Sequence, residues 1–282
     1  MTAEGVHTKS ALADKVREFL TQFKDSTGSF SYVEQIDQMV VKQVTYIVVD
    51  FNDLVSVPVI EEKFRESPDE ILVAFRYAIH EMLKERNPEY AEKIQHDIRA
   101  RIANFPDERS LRQINSEVIT KLISVSGMVV RASEVKPLAK EVTYKCLDKH
   151  KSVFTLLDGM SLNASVKCQT PNCRHTNLAI VPEESRFIDF QIVRLQELPE
   201  DLPPGQLPHY VNVSMKQDLV DYARPGDRIV LTGIVRIEQE RISGISKSES
   251  ARCVEPTINK RIASLNNSCP RICGANDAIN LS

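Results

Sequence analysis

The chain has 282 residues, of which 42% are hydrophobic and 27% charged, so it can bury one large core or two to three small ones. The formal net charge of -3 argues against a protein that binds nucleic acid through its overall charge, although a local basic groove is compatible with it. The sequence has no run of eighteen apolar residues and no signal-peptide core, so we expect no membrane span and a cytoplasmic location.

Residues 1–105 are predicted to form a mostly helical subdomain. A strand-like run at residues 44–49 interrupts the helical spacing of its apolar residues. A later helix is predicted to begin at Pro88, with Ile94, Ile98 and Ile102 on its inner face. A helical bundle of this kind indicates no specific chemistry.

The clearest helix start in this subdomain lies at Ser67. Ser67 is predicted to be the N-cap, with Pro68 at the first helical position and Glu70 completing a capping box. Apolar residues then recur at helical spacing from Ile71 to Leu83, which predicts one buried face for this helix.

From residue 106 the pattern changes to short β-rich runs. Gly127 interrupts the first run, which indicates a bulge or a sharp coil in that strand. Strands on both sides of an insertion favour one small Greek-key barrel of the OB type. The expected fold class is therefore α+β with several subdomains: a helical bundle (1–105), an OB barrel (106–139 and 186–250), a zinc-binding insertion (140–185) and a tail with little pattern (251–282).

The insertion carries two pairs of potential metal ligands. Cys146 and His150 form the first pair, and Cys168 and Cys173 form the second. Six cysteines in a chain without a signal sequence favour metal ligation over disulfides, and two close pairs joined by a loop suit a tetrahedral structural Zn²⁺. The gaps of three and four residues are wider than the usual two, and His175 competes with Cys173 or His150 for the fourth position.

Several motifs of the second half resemble the minichromosome maintenance (MCM) replicative helicases of the archaeal type. The resemblance covers about residues 10–245 and is strong between residues 115 and 240. The motifs are GMVVRASEVKP (127–137), LQELPE (195–200), PGQLP (204–208), DLVD (218–221), PGDR (225–228) and TGI (232–234). The resemblance implies the N-terminal region of that family, in which a helical subdomain, a zinc subdomain and an OB barrel assemble into a ring around DNA, usually a hexamer or double hexamer.

The motor of that family needs a phosphate loop, whose glycines and lysine cradle ATP. None of the nine glycines in this sequence is followed by lysine. We therefore expect no ATP hydrolysis by this chain, no catalytic residues and no small-molecule substrate. Residues after about Ser246 also depart from the family, which would place a further barrel strand there.

The resemblance implies a set of DNA contacts on the barrel. In the family, basic residues at the positions of Arg131, Lys136 and Arg194 contact single-stranded DNA, where Lys and Arg neutralise phosphates. A further basic position of the family falls on His209, and a neutral imidazole adds little attraction for phosphate. The alternative interpretation is that these side chains are ordinary charged residues facing solvent and contact no DNA. Aromatic residues make up only 6% of the chain, so we expect little base stacking.

Two further features follow from the resemblance. A hairpin after Ile234 is expected to project into the channel with Arg241 and Lys247 facing DNA, although an ordinary Gly-containing turn fits the same residues. The proline-rich loop at residues 200–208 resembles the family's communication loop, which relays between the N-terminal ring and the motor. Its candidate residues are Glu200, Gly205, Gln206 and Pro208.

These observations predict the DNA-binding, ring-assembling N-terminal region of an MCM replicative helicase. Its expected partners are single-stranded DNA, double-stranded DNA and further copies of itself in a ring. Its expected location is cytoplasmic and associated with the nucleoid. Two other interpretations are a stand-alone OB and zinc protein that binds single-stranded DNA, and a regulatory subunit of an MCM ring without a motor. A measurement of the oligomeric state distinguishes the ring-assembling region from the stand-alone protein. A DNA-binding assay distinguishes these two interpretations from the regulatory subunit.

Overall fold

The computed structural model describes residues 3–25, 28–95, 97–148, 150–155, 167–170, 173, 178–239 and 250–256. Within these ranges it contains helices, strands and several short 3-10 turns. None of the helices in the described part of the chain combines the length and the apolar character that a membrane crossing needs.

The N-terminal part is a helical subdomain built around one long buried helix. Its elements are α1 (Ala3–Gln22), α2 (Ser31–Lys42), β1 (Tyr46–Asp50), α3 (Phe51–Leu54), α4 (Pro58–Glu66), α5 (Pro68–Arg86), α6 (Pro88–Ile94) and β2 (Arg99–Ala103). The apolar face of α5 is buried as its spacing predicts, because Ile71, Phe75, Ile79 and Met82 lie on one side of the helix. Helix α1 packs along the same helix.

The predicted helix through Ile102 is wrong beyond Ile94. Helix α6 ends at Ile94, and the chain then forms strand β2, which pairs in parallel with β1 so that Ile102 lies opposite Val49. A four-residue spacing fits one face of a helix and also one face of a strand, since four is a multiple of two. Pairing with β1 therefore decides between two structures that the spacing of Ile98 and Ile102 allows equally.

The capping box expected at Ser67 is also absent. Helix α5 begins at Pro68 as predicted, but the Ser67 side chain accepts no backbone hydrogen bond. Its hydroxyl lies 3.4 Å from a carboxylate oxygen of Glu70 instead, so the two side chains contact each other. The proline at the first helical position is the start signal that the structure uses.

The second part is a closed barrel with a small extension. Its strands are β3 (Glu108–Arg109), β4 (Leu122–Ala132), β5 (Lys136–Lys145), β6 (Lys151–Thr155), β7 (Ala179–Ile180), β8 (Arg186–Gln196), β9 (Tyr210–Lys216), β10 (Arg228–Gln239) and β11 (Ser250–Pro256). The sheet order β4-β10-β11-β9-β8 closes on itself because β4 also pairs with β8. Strands β6 and β7 pair with β5 outside this ring and form the extension.

Residues 251–256 belong to the barrel, in contrast to the expectation of a tail from residue 251. Strand β11 pairs with β10 in antiparallel fashion, with Ser250 opposite Gln239, and in parallel with β9, with Val254 opposite Val213. This strand connects β10 to β9 within the ring of pairings. Its short run of mixed residues carries little periodicity, so pairing with two neighbours, and not sequence pattern, defines it.

Two cores meet where the helical subdomain contacts the barrel. The barrel has its own core, which includes Val125, Val193 and Leu231. Leu122 and Ile234 of the barrel lie instead in the core of the helical subdomain, so the two parts share an apolar contact. Ion pairs surround it: Arg236 with Asp69 at 2.5 Å, Arg186 with Asp97 at 3.0 Å, and Arg101 with Asp218.

Gly127 marks a close approach of two strands, whereas the bulge that was expected there lies three residues later. A Cβ atom on Gly127 would lie 2.7 Å from the carbonyl oxygen of Gln196 and 2.7 Å from Cγ of Leu195. The pairing of β4 with β8 shifts between Val129 and Arg131. Gly127 is therefore required for the contact between backbones, and the extra residue of the bulge is Val130.

Replacing Gly127 with alanine is expected to destabilise the barrel by roughly 1–3 kcal/mol, because the added methyl group meets a backbone oxygen that cannot move aside. The measurement is the free energy of unfolding in urea. Ser126→Ala on the same strand is the matched control, since it adds no atom. A Gly127→Ala protein as stable as the control would show that the two strands are farther apart than this structure has them.

Candidate metal centre and basic barrel face

The extension beside the barrel brings all four predicted metal ligands together. Cys146 follows the last residue of β5 and His150 precedes the first residue of β6, so the turn of one hairpin presents both. Cys168 and Cys173 come from the segment that leads towards β7. The ligand atoms of the four residues all lie within 4.8 Å of one another. His175, the alternative ligand, lies outside the described residues.

The geometry of this cluster fits a tetrahedral metal ion. A Zn²⁺ ion with Zn–S of about 2.3 Å and Zn–N of about 2.0–2.1 Å places sulfur and nitrogen ligands about 3.5–3.6 Å apart and sulfur ligands about 3.8 Å apart. The Sγ atom of Cys146 lies 3.5 Å from Nδ1 of His150. Three thiols and one imidazole form a donor set that suits zinc and excludes magnesium and calcium, which prefer oxygen.

Hydrogen bonds prepare Cys168 to act as a thiolate ligand. Bonds from the side chain and then the backbone of Thr170, with smaller contributions from Ser152 and Cys173, lower the pKa of the Cys168 thiol to about 6 against the opposite effect of burial. The Ser152 hydroxyl accepts the backbone N–H of Gln169 at 3.2 Å and lies 3.8 Å from Sγ of Cys168. The hydroxyl accepts that N–H through one of its two lone pairs, and its hydrogen can be donated to the sulfur.

The extension has a very small apolar core. Val142 and Tyr144 of β5 are buried there, and Phe154 of β6 packs edge-on against Tyr144 with ring centroids 5.6 Å apart. Few apolar side chains support this part of the described chain compared with the barrel. A metal ion at the cluster would therefore supply much of the energy that holds the two ligand pairs together.

The outer face of the barrel brings predicted basic residues side by side. Arg131 of β4 lies directly opposite Arg194 of β8, and Lys136 of β5 lies opposite Phe190 of β8. All three basic side chains are exposed. Residues that face each other across antiparallel strands lie on the same side of the sheet, so these charges share one surface, here called the basic face.

The bulge at Val130 is what places Arg131 on the basic face. Ile123, Val125 and Val129 of β4 point into the barrel, and a regular strand would send residue 131 to the same side. The extra residue reverses this alternation, so that Val130 and Arg131 are both exposed. Two like charges directly opposite each other disfavour the pairing of strands unless an anion lies between them.

An aromatic residue lies beside this arginine pair. The guanidinium carbon of Arg194 is 4.7 Å from the ring centroid of Tyr210, the first residue of β9. Tyr210 lies opposite Gln196 on β8. The next pair of outward-facing residues along these two strands is Arg194 and Asn212. The exposed His209 precedes it in the chain. Arg241 and Lys247, the predicted hairpin charges, lie outside the described residues, between the ends of β10 and β11.

The loop between β8 and β9 is held at its neck by a buried carboxylate. Glu197 is 3% exposed. Its Oε1 accepts a hydrogen bond of 2.7 Å from Nε of Arg112, and its Oε2 accepts the backbone N–H of His209 at 3.3 Å. Arg112 also donates to Oε1 of Gln206 and to the carbonyl oxygen of Leu207 at 3.2 Å. One guanidinium thus joins both ends of the loop, and we call this arrangement the loop clasp.

The predicted loop residues lie along this connection. Glu200 forms an ion pair of 2.7 Å with Arg228 of β10. Gln206 donates its backbone N–H to the carbonyl of Pro203, which closes a turn with Pro204 and Gly205 at its centre. Gly205 has φ of +76°, as the third position of such a turn requires. Pro208 leads into His209, where the clasp begins.

Comparison with known proteins connects this architecture to one family. The MCM N-terminal domain matches residues 13–104, and the MCM OB domain matches residues 110–239. The chain belongs to the MCM family. The two matches correspond to the helical subdomain and the barrel, and they confirm the resemblance that the motifs of residues 127–234 indicated.

MCM relatives come from archaea and eukaryotes. The chain is 31% identical over 232 residues to "Minichromosome maintenance protein MCM" of Saccharolobus solfataricus, which covers 79% of this chain and 33% of the relative. It is 38% identical over 181 residues to "DNA replication licensing factor MCM4" of Drosophila melanogaster, covering 64% and 21%. It is 29% identical over 259 residues to "DNA replication licensing factor MCM6" of Oryza sativa subsp. indica, covering 88% and 31%. The chain thus spans between a fifth and a third of these relatives' lengths.

Sequence analysis missed two residues of this MCM chain that the structure places at important contacts. Arg112 lies in a polar stretch before the barrel, far in sequence from the loop that it holds. Tyr210 is one of seven tyrosines and no motif singled it out. The available signal for both was weak: a charged residue within a short polar segment that forms a 3-10 turn, and an aromatic residue at the start of a strand whose alternate residues are apolar.

The loop clasp is expected to stabilise the folded protein at neutral pH and to lose this contribution at acid pH. The hydrogen bond from Arg112, followed by that from the His209 backbone, lowers the pKa of the Glu197 carboxyl. A lowered pKa stabilises the folded state fully above the unfolded value of about 4.3 and loses this contribution as the pH falls through the folded value. The difference in melting temperature between the wild type and Glu197→Gln should therefore be constant from pH 7 to about 5 and narrow below about 4.3.

Calorimetry at a series of pH values measures this difference. Glu200→Gln is the matched control, because Glu200 is exposed and its ion pair with Arg228 lies at the protein surface. If the gap between wild type and Glu197→Gln stayed constant down to pH 3, the clasp would not lower the pKa of Glu197.

Proposed function

We propose that this chain is the DNA-binding, ring-assembling N-terminal region of an MCM replicative helicase, which holds single-stranded and also double-stranded DNA in a central channel. Membership in the family supports a role in DNA replication. The observation that carries the DNA-binding proposal is the pair of exposed arginines, Arg131 and Arg194, directly opposite each other on the basic face.

The arginine pair is best explained by a phosphate ligand. Like charges that face each other across a sheet cost up to about 1 kcal/mol relative to neutral pairs. A phosphate between them converts this cost into two charge-assisted hydrogen bonds, which are about twice as strong as neutral ones. Lys136 lies on the neighbouring strand and extends the positive surface. A net charge of -3 for the whole chain leaves such a local surface intact, since the field that steers a ligand is regional.

The four-residue cluster is proposed to hold one structural Zn²⁺ ion. Cys146, His150, Cys168 and Cys173 supply three thiolates and one imidazole, a closed ligand set that leaves no position for a substrate. Such an ion stabilises the small extension by joining its two ligand pairs. Thr170 and Ser152 would hold the Cys168 thiolate in its ligand form through hydrogen bonds to the sulfur.

Ring assembly, a nucleoid-associated location and a signalling role for the loop between β8 and β9 belong to the same proposal. The loop clasp supports the last of these, because it fixes both ends of a loop that displays the 86% exposed side chain of Leu207. A concentration-dependent sizing experiment tests the ring. A monomer that binds single-stranded DNA would support the stand-alone interpretation, and a ring without DNA affinity would support the regulatory one.

Loss of the metal is expected to loosen the extension while leaving the barrel folded. Purified protein should contain one zinc per chain by elemental analysis, and Cys168→Ser should contain well under one. Chelation should increase amide hydrogen exchange in β5, β6 and β7 more than in β4 and β10, because the extension has the smaller core.

Matched variants identify the ligands. Cys253→Ser removes a cysteine other than the four proposed ligands and should keep its zinc. His150→Cys should also keep it, because four thiolates form a common zinc site. If Cys173→Ser kept full zinc content while His175→Ala lost it, the fourth ligand would be His175. Wild-type protein without zinc would remove the proposed cofactor.

DNA binding is expected to be strongly salt-dependent and nearly independent of base sequence. Each phosphate contact contributes a slope of about 0.7 in log affinity against log salt for a single strand. Arg131→Ala/Lys136→Ala should therefore weaken binding and reduce the slope by up to two such contacts per protomer. Arg241→Ala/Lys247→Ala tests the predicted hairpin in the same way. Fluorescence anisotropy with a labelled oligonucleotide at several salt concentrations measures both quantities.

The control for the basic face is Lys84→Ala/Lys93→Ala, which removes two exposed charges from α5 and α6 of the helical subdomain. Its net charge equals that of each double variant, so a general effect of charge would appear in all of them. Sizing of every variant shows whether the oligomer is unchanged. Equal affinities and equal slopes in both double variants and the wild type would reject the DNA-channel assignment.

A further inference from the structure

We propose that Tyr210 is a nucleobase-binding residue, whose ring stacks against one unpaired base while Arg131 and Arg194 hold a neighbouring phosphate. This inference rests on the proposed DNA-binding function and deepens it, because it adds a contact with an unpaired base beside the proposed phosphate contacts of the basic face. It also goes against the expectation from composition that stacking contributes little.

Tyr210 is exposed at the start of a strand whose later residues are mostly buried. The residue is 47% exposed, whereas Val211 and Val213 of the same strand are buried in the barrel core. The alternation of the strand places Tyr210 on the outer side with Asn212. A large aromatic side chain on the solvent side of a barrel contributes little to the core, so packing does not account for it.

The backbone around Tyr210 is rigid. Tyr210 pairs with Gln196 at the end of the β8–β9 ladder, and the next pair is fixed by the N–H of Glu197, which donates to the carbonyl of His209 at 3.1 Å. The Glu197 carboxylate accepts the N–H of His209 in return, and Arg112 holds that carboxylate in place. A ring on a fixed backbone loses little conformational entropy when a ligand stacks on it.

Arg194 connects the ring to the phosphate-binding pair. Its guanidinium carbon lies 4.7 Å from the Tyr210 centroid and its strand position lies opposite Arg131. A cation over one part of an aromatic ring polarises the ring and restricts the rotamers of the aromatic side chain. The basic face therefore presents, within neighbouring positions on three strands, a site for a phosphate and a flat surface for a base. Unpaired bases expose their faces for such stacking, while bases within a duplex stack on each other.

Salt dependence separates a base contact from a phosphate contact. Stacking neutralises no phosphate, so Tyr210→Leu should weaken binding to a single strand by about 5- to 100-fold without changing the slope of log affinity against log salt. Arg194→Ala should lower affinity and reduce the slope by about one phosphate contact. Tyr210→Phe keeps the ring and should bind like the wild type, which excludes a role for the hydroxyl group.

A strand without bases provides the decisive probe. Wild type and Tyr210→Leu should bind an abasic deoxyribose-phosphate strand with equal affinity, and the wild type should prefer a normal single strand over both the abasic strand and a duplex. Tyr210→Leu should lose that preference. Zinc content, melting temperature and sizing of each variant establish that it is folded and assembled like the wild type.

Three results would overturn the inference. Equal single-strand affinity of Tyr210→Leu and wild type would show that no base stacks on the ring. A reduced salt slope in Tyr210→Leu would show that the ring only positions Arg194. If Tyr210→Leu lost affinity equally for normal and abasic strands, the ring would likewise only position Arg194. If the wild type binds none of these probes, the proposed function itself fails, which is a separate outcome from failure of the Tyr210 assignment.

Discussion

The pairing of β4 with β8 is the constraint on which the rest of this structure depends. It closes the barrel, and it requires Gly127 because a side chain there would collide with the backbone of Gln196. The bulge at Val130 then turns Arg131 outward to meet Arg194. The end of β8 continues directly into Glu197 and the loop clasp. Barrel closure, the basic face and the loop clasp therefore all depend on the pairing of β4 with β8, and a change in this pairing affects all three.

The barrel and its extension are stabilised by different physical means. The barrel buries a continuous set of apolar side chains from β4, β8, β9 and β10 and from the segments around Leu111 and Leu219. The apolar cluster of the extension contains two buried residues, Val142 and Tyr144, and four candidate metal ligands lie within 4.8 Å of one another beside it. Burial of apolar surface stabilises the barrel, whereas the metal ion proposed for the extension would stabilise it through ligand bonds that require both ligand pairs. Ligand spacing along the chain can therefore vary, since the tertiary arrangement brings the donor atoms to a common distance.

Charge in this protein acts locally. The helical subdomain joins the barrel through ion pairs such as Arg236 with Asp69 and Arg186 with Asp97, so these arginines serve contacts within the protein. Arg131, Lys136 and Arg194 lie instead on one exposed face, and the barrel's strand order decides this difference. Overall composition could not distinguish a structural arginine from one available to a ligand, because both contribute equally to a net charge of -3.

The sequence by itself determined the helical subdomain, the change to strands after residue 105, the family motifs and the two Cys/His pairs that the structure brings together, because each depends on local spacing or on residue type. Only the tertiary structure decided the rest. Ile98 and Ile102 fit a helix and a strand equally until β1 pairs with β2, and residues 250–256 become a strand because β9 and β10 lie on either side. The partnership of Arg112 with Glu197, 85 residues apart, and of Arg194 with Tyr210 depends on barrel closure. Contacts between distant segments leave no periodic trace in the sequence, since the energy that selects them arises only when the strands are already side by side.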